Sequence, residues 1–269
     1  MSSCLTPRQQ RERAFFDEYW LRYPLPQPEF DVIQADAPKL WNSYWYVLEA
    51  AKVRYEAGAR KLLDFGCGGG ANAVTFAAIG YEVSGFDVSP RSIEIARQIA
   101  KAHGLSNSIH LSVQTSERLE YSDDYFDVVV GIDILHHVEI AASVAECMRV
   151  LRPGGVAFFR ECVEVPAFDR IRNTAPARFL FPNKRSFEYC ITDDERKLNV
   201  NDIAAIRALC PAMIENRFYI FARLDRLLRT RGPKSPLEKF DYWLCKKLPL
   251  LNKFGGAAVF QLDKDPVIG

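Results

Sequence analysis

The sequence lacks several features that mark whole classes of protein. Lys and Arg number 35 against 34 Asp and Glu, so the formal net charge is only +1 and no global field favours nucleic acid or a membrane. There is no apolar run of about 18 residues, which a transmembrane helix would need, and no apolar signal core at the N-terminus. Repeats and low-complexity segments are also missing. These absences predict a cytoplasmic globular protein.

Paired cysteines are missing as well. The count of seven is odd and no two have C-x-x-C spacing, which argues against a disulfide framework and against a zinc site. We therefore expect a reducing compartment and no bound metal. The cysteines stand at positions 4, 67, 147, 162, 190, 210 and 245.

A glycine-rich stretch from Leu62 to Ala73 organises the chain. Its pattern is D-x-G-x-G-x-G, beginning at Asp64, which differs from the dinucleotide fingerprint G-x-G-x-x-G and lacks the lysine of a Walker loop. An acid inside such a turn repels phosphate and suits an amino group. The stretch therefore predicts a site for a zwitterionic ligand, with a plain glycine-rich β–α turn as the alternative.

A second acid supports the ligand site. Asp87 ends the next predicted strand, 23 residues after Asp64, where an acid can accept hydrogen bonds from both ribose hydroxyls. Ser89 and Pro90 follow as a helix cap and first helical residue. The alternative role for Asp87 is capping alone.

Strands and helices alternate from residue 61 to residue 162. This pattern predicts an α/β fold with a doubly wound, Rossmann-like and mostly parallel sheet, whose ligand lies beyond the carboxyl ends of the strands. Four acids fall at or just past such ends: Asp64, Asp87, Asp133 and Glu161.

Five motifs together resemble the class I S-adenosylmethionine-dependent methyltransferases of the small-molecule type, over about residues 60–162. They are Asp64-x-Gly66-x-Gly68-x-Gly70, Phe86-Asp87-Val88-Ser89, Phe126-Asp127-Val128-Val129-Val130, Leu135-His136-His137-Val138 and Leu151-Arg152-Pro153-Gly154-Gly155. The resemblance implies methyl transfer from S-adenosylmethionine to an oxygen, nitrogen or carbon of a small molecule, and specialised metabolism is the expected setting. An RNA methyltransferase and a non-methylating enzyme that consumes the cofactor, for example by intramolecular cyclisation, are the alternatives.

The resemblance also implies which residues hold the cofactor. The methionine amino group would meet Asp64 and the turn, the ribose would meet Asp87, and the adenine would meet the segment after the third strand. Thr115 stands there in place of the family's usual Asp, which weakens the charge assistance to the adenine amino group. The full set is Asp64, Gly66, Cys67, Gly68, Gly70, Asp87, Val88, Thr115, Ser116, Glu117, Gly131 and Ile132.

Three residues are candidates for catalysis. His136 has the side chain best suited to proton transfer near neutral pH, with helix capping or packing as its alternative role. Asp133 is a candidate base, a site for a cationic substrate, or a helix cap. Glu161 is predicted to play a part similar to that of Asp133.

The flanks are predicted as accessory segments. Residues 1–58 would form an N-terminal helical lid, with helices at 14–23 and 38–56 after a frayed start. Plain packing of these helices on the sheet is the alternative. Residues 59–165 would form the cofactor-binding core, with a turn at 152–155. Residues 166–269 would supply a C-terminal helical cap insertion, with helices at 224–231 and 236–248, and the last two strands.

The segment 217–254 carries ten basic residues against three acids, interleaved with aromatics. It would contact an anionic membrane peripherally, grip nucleic acid, or recognise a lipid-like, anionic or carrier-bound substrate. A solvated outer face with its aromatics packed inward is the plainer alternative. The absence of an appended RNA-binding module disfavours nucleic acid.

Overall fold

The architecture is seen in a computed structural model that describes residues 5–34, 38–166, 196–222 and 236–265. Seven strands lie in these ranges: β1 (Lys61–Phe65), β2 (Glu82–Asp87), β3 (Ile109–Val113), β4 (Phe126–Ile132), β5 (Leu151–Cys162), β6 (Ile214–Phe218) and β7 (Ala257–Asp263). They form one sheet in the order β3-β2-β1-β4-β5-β7-β6.

Eight α-helices lie in the same described ranges: α1 (Pro7–Arg22), α2 (Asp31–Gln34), α3 (Ser43–Glu56), α4 (Ala71–Ile79), α5 (Pro90–Ala102), α6 (Ile140–Val150), α7 (Val200–Leu209) and α8 (Pro236–Lys247). Two 3-10 segments, Leu135–His137 and Pro249–Phe254, accompany them. None of these helices combines the length and apolar character that crossing a membrane requires.

The sheet is parallel except at one strand. β1 pairs in parallel with β2 and β4, β2 with β3, and β4 with β5, whereas β7 runs antiparallel to both β5 and β6. The predicted doubly wound, mostly parallel sheet is confirmed. Because β1, β2, β4 and β5 share a direction, their carboxyl ends meet at one edge, and β6 points to that edge too.

The core lies on both faces of the sheet, as the alternation along β4 requires. Val128 and Val130 join a cluster with Trp45 and Phe76 from the helices α3 and α4. Val129 joins the opposite cluster, to which α6 and α7 contribute. Every residue of β4 before Ile132 is buried, which fixes the central strands and therefore the edge at which they end.

The N-terminal helix is longer than the sequence predicted. α1 begins at Pro7, so the expectation of a frayed segment up to residue 14 is wrong for residues 7–14. The cause is a capping box, in which the Thr6 side chain accepts from Gln9 N–H and the Gln9 side chain accepts from Thr6 N–H.

Two further boundaries differ from the predictions. α3 begins at Ser43, not at Pro38, because the Asn42 side chain caps it by accepting from the N–H groups of residues 44 and 45. The predicted turn at 152–155 is part of β5, where backbone bonds to Lys264 extend the strand. The predicted helix at 224–231 and most of the predicted cap lie outside the described residues.

Candidate active site

The glycine-rich turn between β1 and α4 lies at the carboxyl edge of the sheet. Gly66, Gly68 and Gly70 have φ values of 76°, 48° and 81°, a region that other L-residues rarely adopt. A Cβ on Gly68 would meet nothing within 4 Å, so the backbone there is open to a ligand. A Cβ on Gly70 would lie 2.5 Å from that of Ala96, so this glycine serves the packing of α4 on α5.

Two buried carboxyl groups flank this turn. Burial, and to a smaller extent the nearby charge of Asp87, raise the pKa of Asp64 to about 7. Its Oδ2 atom is buried and has no hydrogen-bond partner among the described residues. A buried carboxyl oxygen without a partner is costly, so the site lacks a donor that a ligand can supply.

Asp87 lies across the turn from Asp64. Its Oδ2 accepts from Gly68 N–H at 3.1 Å and its Oδ1 accepts from Ser89 N–H at 2.8 Å. Burial raises the pKa of Asp87 to about 6. The same burial, with both acids nearby, raises the pKa of the Cys67 thiol well above its ordinary value. Cys67 is therefore a poor nucleophile.

A cleft opens from the turn toward the loop after β3. Six of the predicted cofactor residues line it: Gly66, Asp87, Val88, Thr115, Ser116 and Glu117. Ser116 is buried and its hydroxyl lies 2.9 Å from that of Ser143 on α6, which fixes the loop. The other six, Asp64, Cys67, Gly68, Gly70, Gly131 and Ile132, are not among the described residues that line it. A Cβ on Gly131 would lie 2.5 Å from the Phe159 ring, so that glycine accommodates packing within the sheet.

Helix α1 closes the cleft from outside. Gln9 donates from Nε2 to Glu117 Oε2 at 2.9 Å, and Glu12 Oε2 lies 3.1 Å from His137 Nδ1. The Phe16 ring packs edge-on against His137. The cavity that stays open has a volume of about 50 Å³, small beside the ~300–1,000 Å³ of typical ligand pockets.

α1 also contacts the start of α5 and the turn itself. Asp17 Oδ1 accepts from Ser89 Oγ at 2.6 Å, and Trp20 donates from its indole to Ser92 Oγ at 2.8 Å. A Cβ on Gly69 would lie 2.7 Å from the Trp20 ring. The sequence analysis missed the α1 residues that line the cleft, because no motif links them to a turn some 50 residues away. Gln114 was missed too, although it directly follows β3.

His136 and Glu161 form a buried pair at the ends of β4 and β5. His136 Nδ1 lies 2.6 Å from Glu161 Oε2. Glu161 is fully buried, and its Oε1 accepts from the N–H groups of Ile134 and Leu135 at 2.9 and 2.6 Å. Glu161 therefore fixes both the turn that carries His136 and the orientation of the imidazole ring.

Asp133 has a different environment from the other two catalytic candidates. Its carboxylate pairs with the Arg160 guanidinium, whose Nε donates to Ser43 Oγ at 3.2 Å. The backbone of Asp133 has φ 54°. It does not cap a helix, since Glu139 caps α6. The prediction that Asp133 acts as a base stays a prediction.

A second cavity adjoins His136 on the side of α6 and α7. Its volume is about 320 Å³. Leu135, Val138 and Ile140 line it with apolar side chains, and its charged side chains are two cations, Arg8 and Arg196, and two acids, Glu139 and Asp202. Arg8 Nη2 donates to the His136 carbonyl at 3.3 Å, while its Nε is buried without a hydrogen-bond partner in the described chain. The cavity thus combines apolar surface with a guanidinium that has an unused donor.

The chain resembles known methyltransferases in sequence and in fold. Residues 63–159 match the family model described as "Methyltransferase domain". The chain is 34% identical over 149 residues to the ubiquinone biosynthesis O-methyltransferase of Thiobacillus denitrificans, covering 55% of this chain and 61% of that protein. It is 39% identical over 99 residues to the protein of the same name from Methylocella silvestris, covering 36% of this chain and 38% of that one. The chain therefore spans less than two thirds of the length of these relatives.

Among solved structures, geranyl diphosphate C-methyltransferase from Streptomyces coelicolor, crystallised with Mg²⁺, geranyl diphosphate and S-adenosyl-L-homocysteine, has the same fold. The TM-score is 0.56 at 12% identity, with 98% of this chain and 100% of that chain covered. At this identity the likeness concerns the fold alone. Residues 63–159 thus resemble a methyltransferase domain in sequence, and the described strands and helices share the fold of this solved structure.

Proposed function

We propose that this chain, whose core is a class I S-adenosylmethionine-dependent methyltransferase domain, methylates a hydroxyl group of a small-molecule acceptor. One observation carries the proposal: two buried carboxyl groups, Asp64 and Asp87, flank an open glycine-rich turn, and one of their oxygens has no hydrogen-bond partner in the described part of the chain. The O-methyltransferase names of the relatives support oxygen as the acceptor atom.

The described residues fit S-adenosylmethionine. Asp64 Oδ2 would accept from the methionine amino group, which supplies the donor that the buried oxygen lacks. Asp87 already accepts two N–H groups, but a carboxylate has about four acceptor positions, so two ribose hydroxyls can still bind. The adenine would lie against Val88 and the 115–117 loop.

On the acceptor side, His136 would take the proton from the hydroxyl. When bound, S-adenosylmethionine supplies an activated methyl group. Glu161 holds the imidazole through Nδ1 and stabilises the imidazolium that forms, so it is a positioning residue. Replacing His136 with Asn is expected to lower kcat about 10²-fold or more. The affinity for S-adenosylmethionine should stay unchanged in calorimetry, and an unchanged kcat would exclude the proton transfer.

The acceptor would occupy the cavity beside His136. Its apolar walls and the buried Nε of Arg8 support an acceptor with an apolar body and an anionic group, which includes lipid-like and carrier-bound molecules. Arg196 is bound by Asp202 in two hydrogen bonds and would contribute less. A role in specialised metabolism is part of the same proposal.

Helix α1 would act as the lid of the cofactor site. Its contacts to the 115–117 loop, to His137 and to Ser89 support this division of the chain into a lid (1–58), a core (59–165) and a C-terminal part (166–269). Because the open cavity is small, α1 must shift before the cofactor binds.

The test is calorimetric titration of S-adenosylmethionine into the wild type and Asp87→Ala, followed by product analysis by mass. Micromolar binding that is lost in the variant, with a 14 Da gain on a hydroxylated acceptor, is the expected result. No binding to the wild type, nor to a chain lacking residues 1–36, would overturn the cofactor site. Binding without any methylated product would favour a non-methylating enzyme that consumes the cofactor. A methylated RNA would favour an RNA methyltransferase.

A further inference from the structure

Helix α8 and the 3-10 segment after it carry an unusual outward surface. Four apolar side chains there are exposed: Phe240 (45%), Trp243 (54%), Leu248 (53%) and Leu250 (84%). Lys239, Lys246 and Lys247 are exposed among them. We call these seven residues the aromatic–lysine face. On α8, positions 239, 240, 243, 246 and 247 recur at intervals of three and four, so they share one side of the helix.

The acids of α8 are turned away from this face. Glu238 is buried and accepts from Asn42 Nδ2 at 2.9 Å. Asp241 is buried and accepts from the N–H groups of Phe221 and Ala222, at 2.8 to 3.0 Å. The acids therefore tie the helix to the protein, and the exposed charges of the helix are all positive.

The aromatic rings of the face lie close together in the open. The Phe240 ring is 6.0 Å from that of Trp243, and 6.0 Å from that of Phe221 on its other side. The alternative that these aromatics pack inward is wrong for Phe240 and Trp243. Exposed large apolar side chains that form one patch mark an interaction surface.

We propose that the aromatic–lysine face docks on an anionic lipid bilayer. Trp and Phe side chains enter the interfacial region of a bilayer, and lysines beside them pair with anionic headgroups while their stems cover apolar surface. The positive charge of the three lysines is complementary to the negative charge of such a bilayer. The aliphatic Leu248 and Leu250 disfavour nucleic acid, because they offer no stacking or hydrogen-bonding partner for a base.

The aromatic–lysine face lies on the same side of the protein as the candidate site. β6 runs in the direction of β5, and Asp241 binds the backbone just after the carboxyl end of β6. α8 therefore lies at the edge of the sheet where the candidate site lies. If the proposed acceptor has a long apolar part, docking brings the bilayer to the side of the protein on which the acceptor is used. The docking itself does not depend on the proposed function.

The test is cosedimentation of the full chain with two kinds of vesicle, phosphatidylcholine alone and phosphatidylcholine with phosphatidylglycerol. Binding is expected only to the anionic vesicles and should weaken as salt rises. The double variant Phe240→Ser/Trp243→Ser should lose about tenfold in partitioning, and Lys247→Gln about fivefold. Tryptophan emission should shift to the blue on binding in the wild type, and less in Trp243→Phe.

Matched controls change equally exposed residues away from the face. Val53→Ser/Val200→Ser removes two exposed apolar side chains, and Lys101→Gln removes one exposed charge. These variants should bind vesicles as the wild type does, and all variants should keep the wild-type urea midpoint.

Several results would overturn the proposal. The wild type would fail to bind anionic vesicles, or Phe240→Ser/Trp243→Ser would bind them as well as the wild type does. A third such result is that the chain binds RNA in a salt-sensitive manner and does not bind vesicles. A wild-type dimer that this double variant converts into monomers, without vesicle binding, would assign the face to a second copy of the chain.

Discussion

Two of the buried acids at the sheet, Asp64 and Glu161, have opposite environments. In the half built on β1 and β2, Asp64 has an oxygen without a partner among the described residues and a pKa raised to about 7. In the half built on β5 to β7, Glu161 and Asp241 accept N–H groups on their carboxylates. In the first half the fold leaves Asp64 short of a hydrogen-bond donor, whereas in the second half it supplies the donors of both acids.

This difference distinguishes buried carboxyl groups that bind a ligand from those that stabilise the fold. A buried carboxylate that the fold satisfies stabilises the fold, and its removal leaves donors unpaired. A buried carboxyl that the fold leaves partly unsatisfied destabilises the ligand-free protein, and a ligand that supplies the missing donor recovers that free energy. Replacements in the two halves should therefore change different measurable quantities.

The largest effect on stability is expected for Glu161→Ala. The variant leaves two buried N–H groups and the His136 ring without their acceptor, so the free energy of unfolding should fall by about 3 kcal/mol. Urea denaturation measures this value. Glu164→Ala, at an exposed position three residues on, is the matched control and should be neutral. A loss below about 1 kcal/mol would mean that the satisfied half does not depend on Glu161.

The sequence predicted the positions of residues near the ends of neighbouring strands, but it did not predict contacts between distant elements. Asp64 and Asp87 lie at the carboxyl ends of β1 and β2, and the loop at Thr115 follows β3, so local patterns were enough to predict that they lie at one edge. The pairing of His136 with Glu161 joins the ends of two strands, and the sequence named both residues without their contact. The closure of the cleft by Gln9, Glu12 and Phe16 depends on how a distant helix packs, which no local pattern encodes.

The exposed aromatic–lysine face shows a second limit. The sequence revealed the excess of basic residues in 217–254, but not the side of α8 on which each residue lies. The buried positions of Glu238 and Asp241 decide this, through partners as far away as Asn42. The orientation of an amphipathic helix with mixed charges is thus a property of tertiary contacts.

The next largest effect is expected for Asp64→Asn, and it concerns binding. The affinity for S-adenosylmethionine should fall about 30-fold, because a charge-assisted hydrogen bond is lost. The free energy of unfolding should not decrease, since a buried charge is removed. Calorimetry at pH 8 and urea denaturation provide the two measurements.

Asp127→Asn is the inverse control for that experiment. Asp127 is buried, and its Oδ2 accepts from the N–H groups of Arg60 and Lys61 at 2.6 and 2.9 Å. This variant should lower stability and leave the affinity unchanged. If Asp64→Asn lowered stability as much as Asp127→Asn does, Asp64 would be a structural acid and the contrast between the halves would fail.

A change in pH should have a smaller effect on ligand-free stability and on the affinity for S-adenosylmethionine. The pKa values of Asp64 and Asp87, about 7 and about 6, lie above the ordinary value of 3.8. Their contribution to ligand-free stability is therefore full below pH 3.8 and is lost as pH rises through 6 to 7. Binding has the opposite sign, because the ammonium group needs ionised Asp64. Affinity should rise about tenfold per pH unit below pH 7 and level off above it.

Calorimetry in buffers with different ionisation enthalpies checks this linkage. Near pH 6.5 the wild type should release protons when S-adenosylmethionine binds, and Asp64→Asn should release fewer. An affinity that is flat between pH 5.5 and pH 8 would contradict the coupling.

The smallest effect is expected for Thr115→Asp, which places a carboxylate at the end of the cleft where the adenine would lie. If the adenine amino group meets residue 115, a carboxylate there binds it with charge assistance. The nearby acids Asp87 and Glu117 repel the new charge, so the gain in affinity should be only about threefold. Thr115→Val, which removes the hydroxyl, should weaken binding by a similar factor.

Titration with adenosine in place of S-adenosylmethionine separates the two ends of the site. The Thr115 effects should persist with adenosine, whereas the effect of Asp64→Asn should vanish because adenosine has no methionine amino group. If both Thr115 variants bound adenosine as the wild type does, the adenine would lie elsewhere and only the Asp64–Asp87 part of the site would stand.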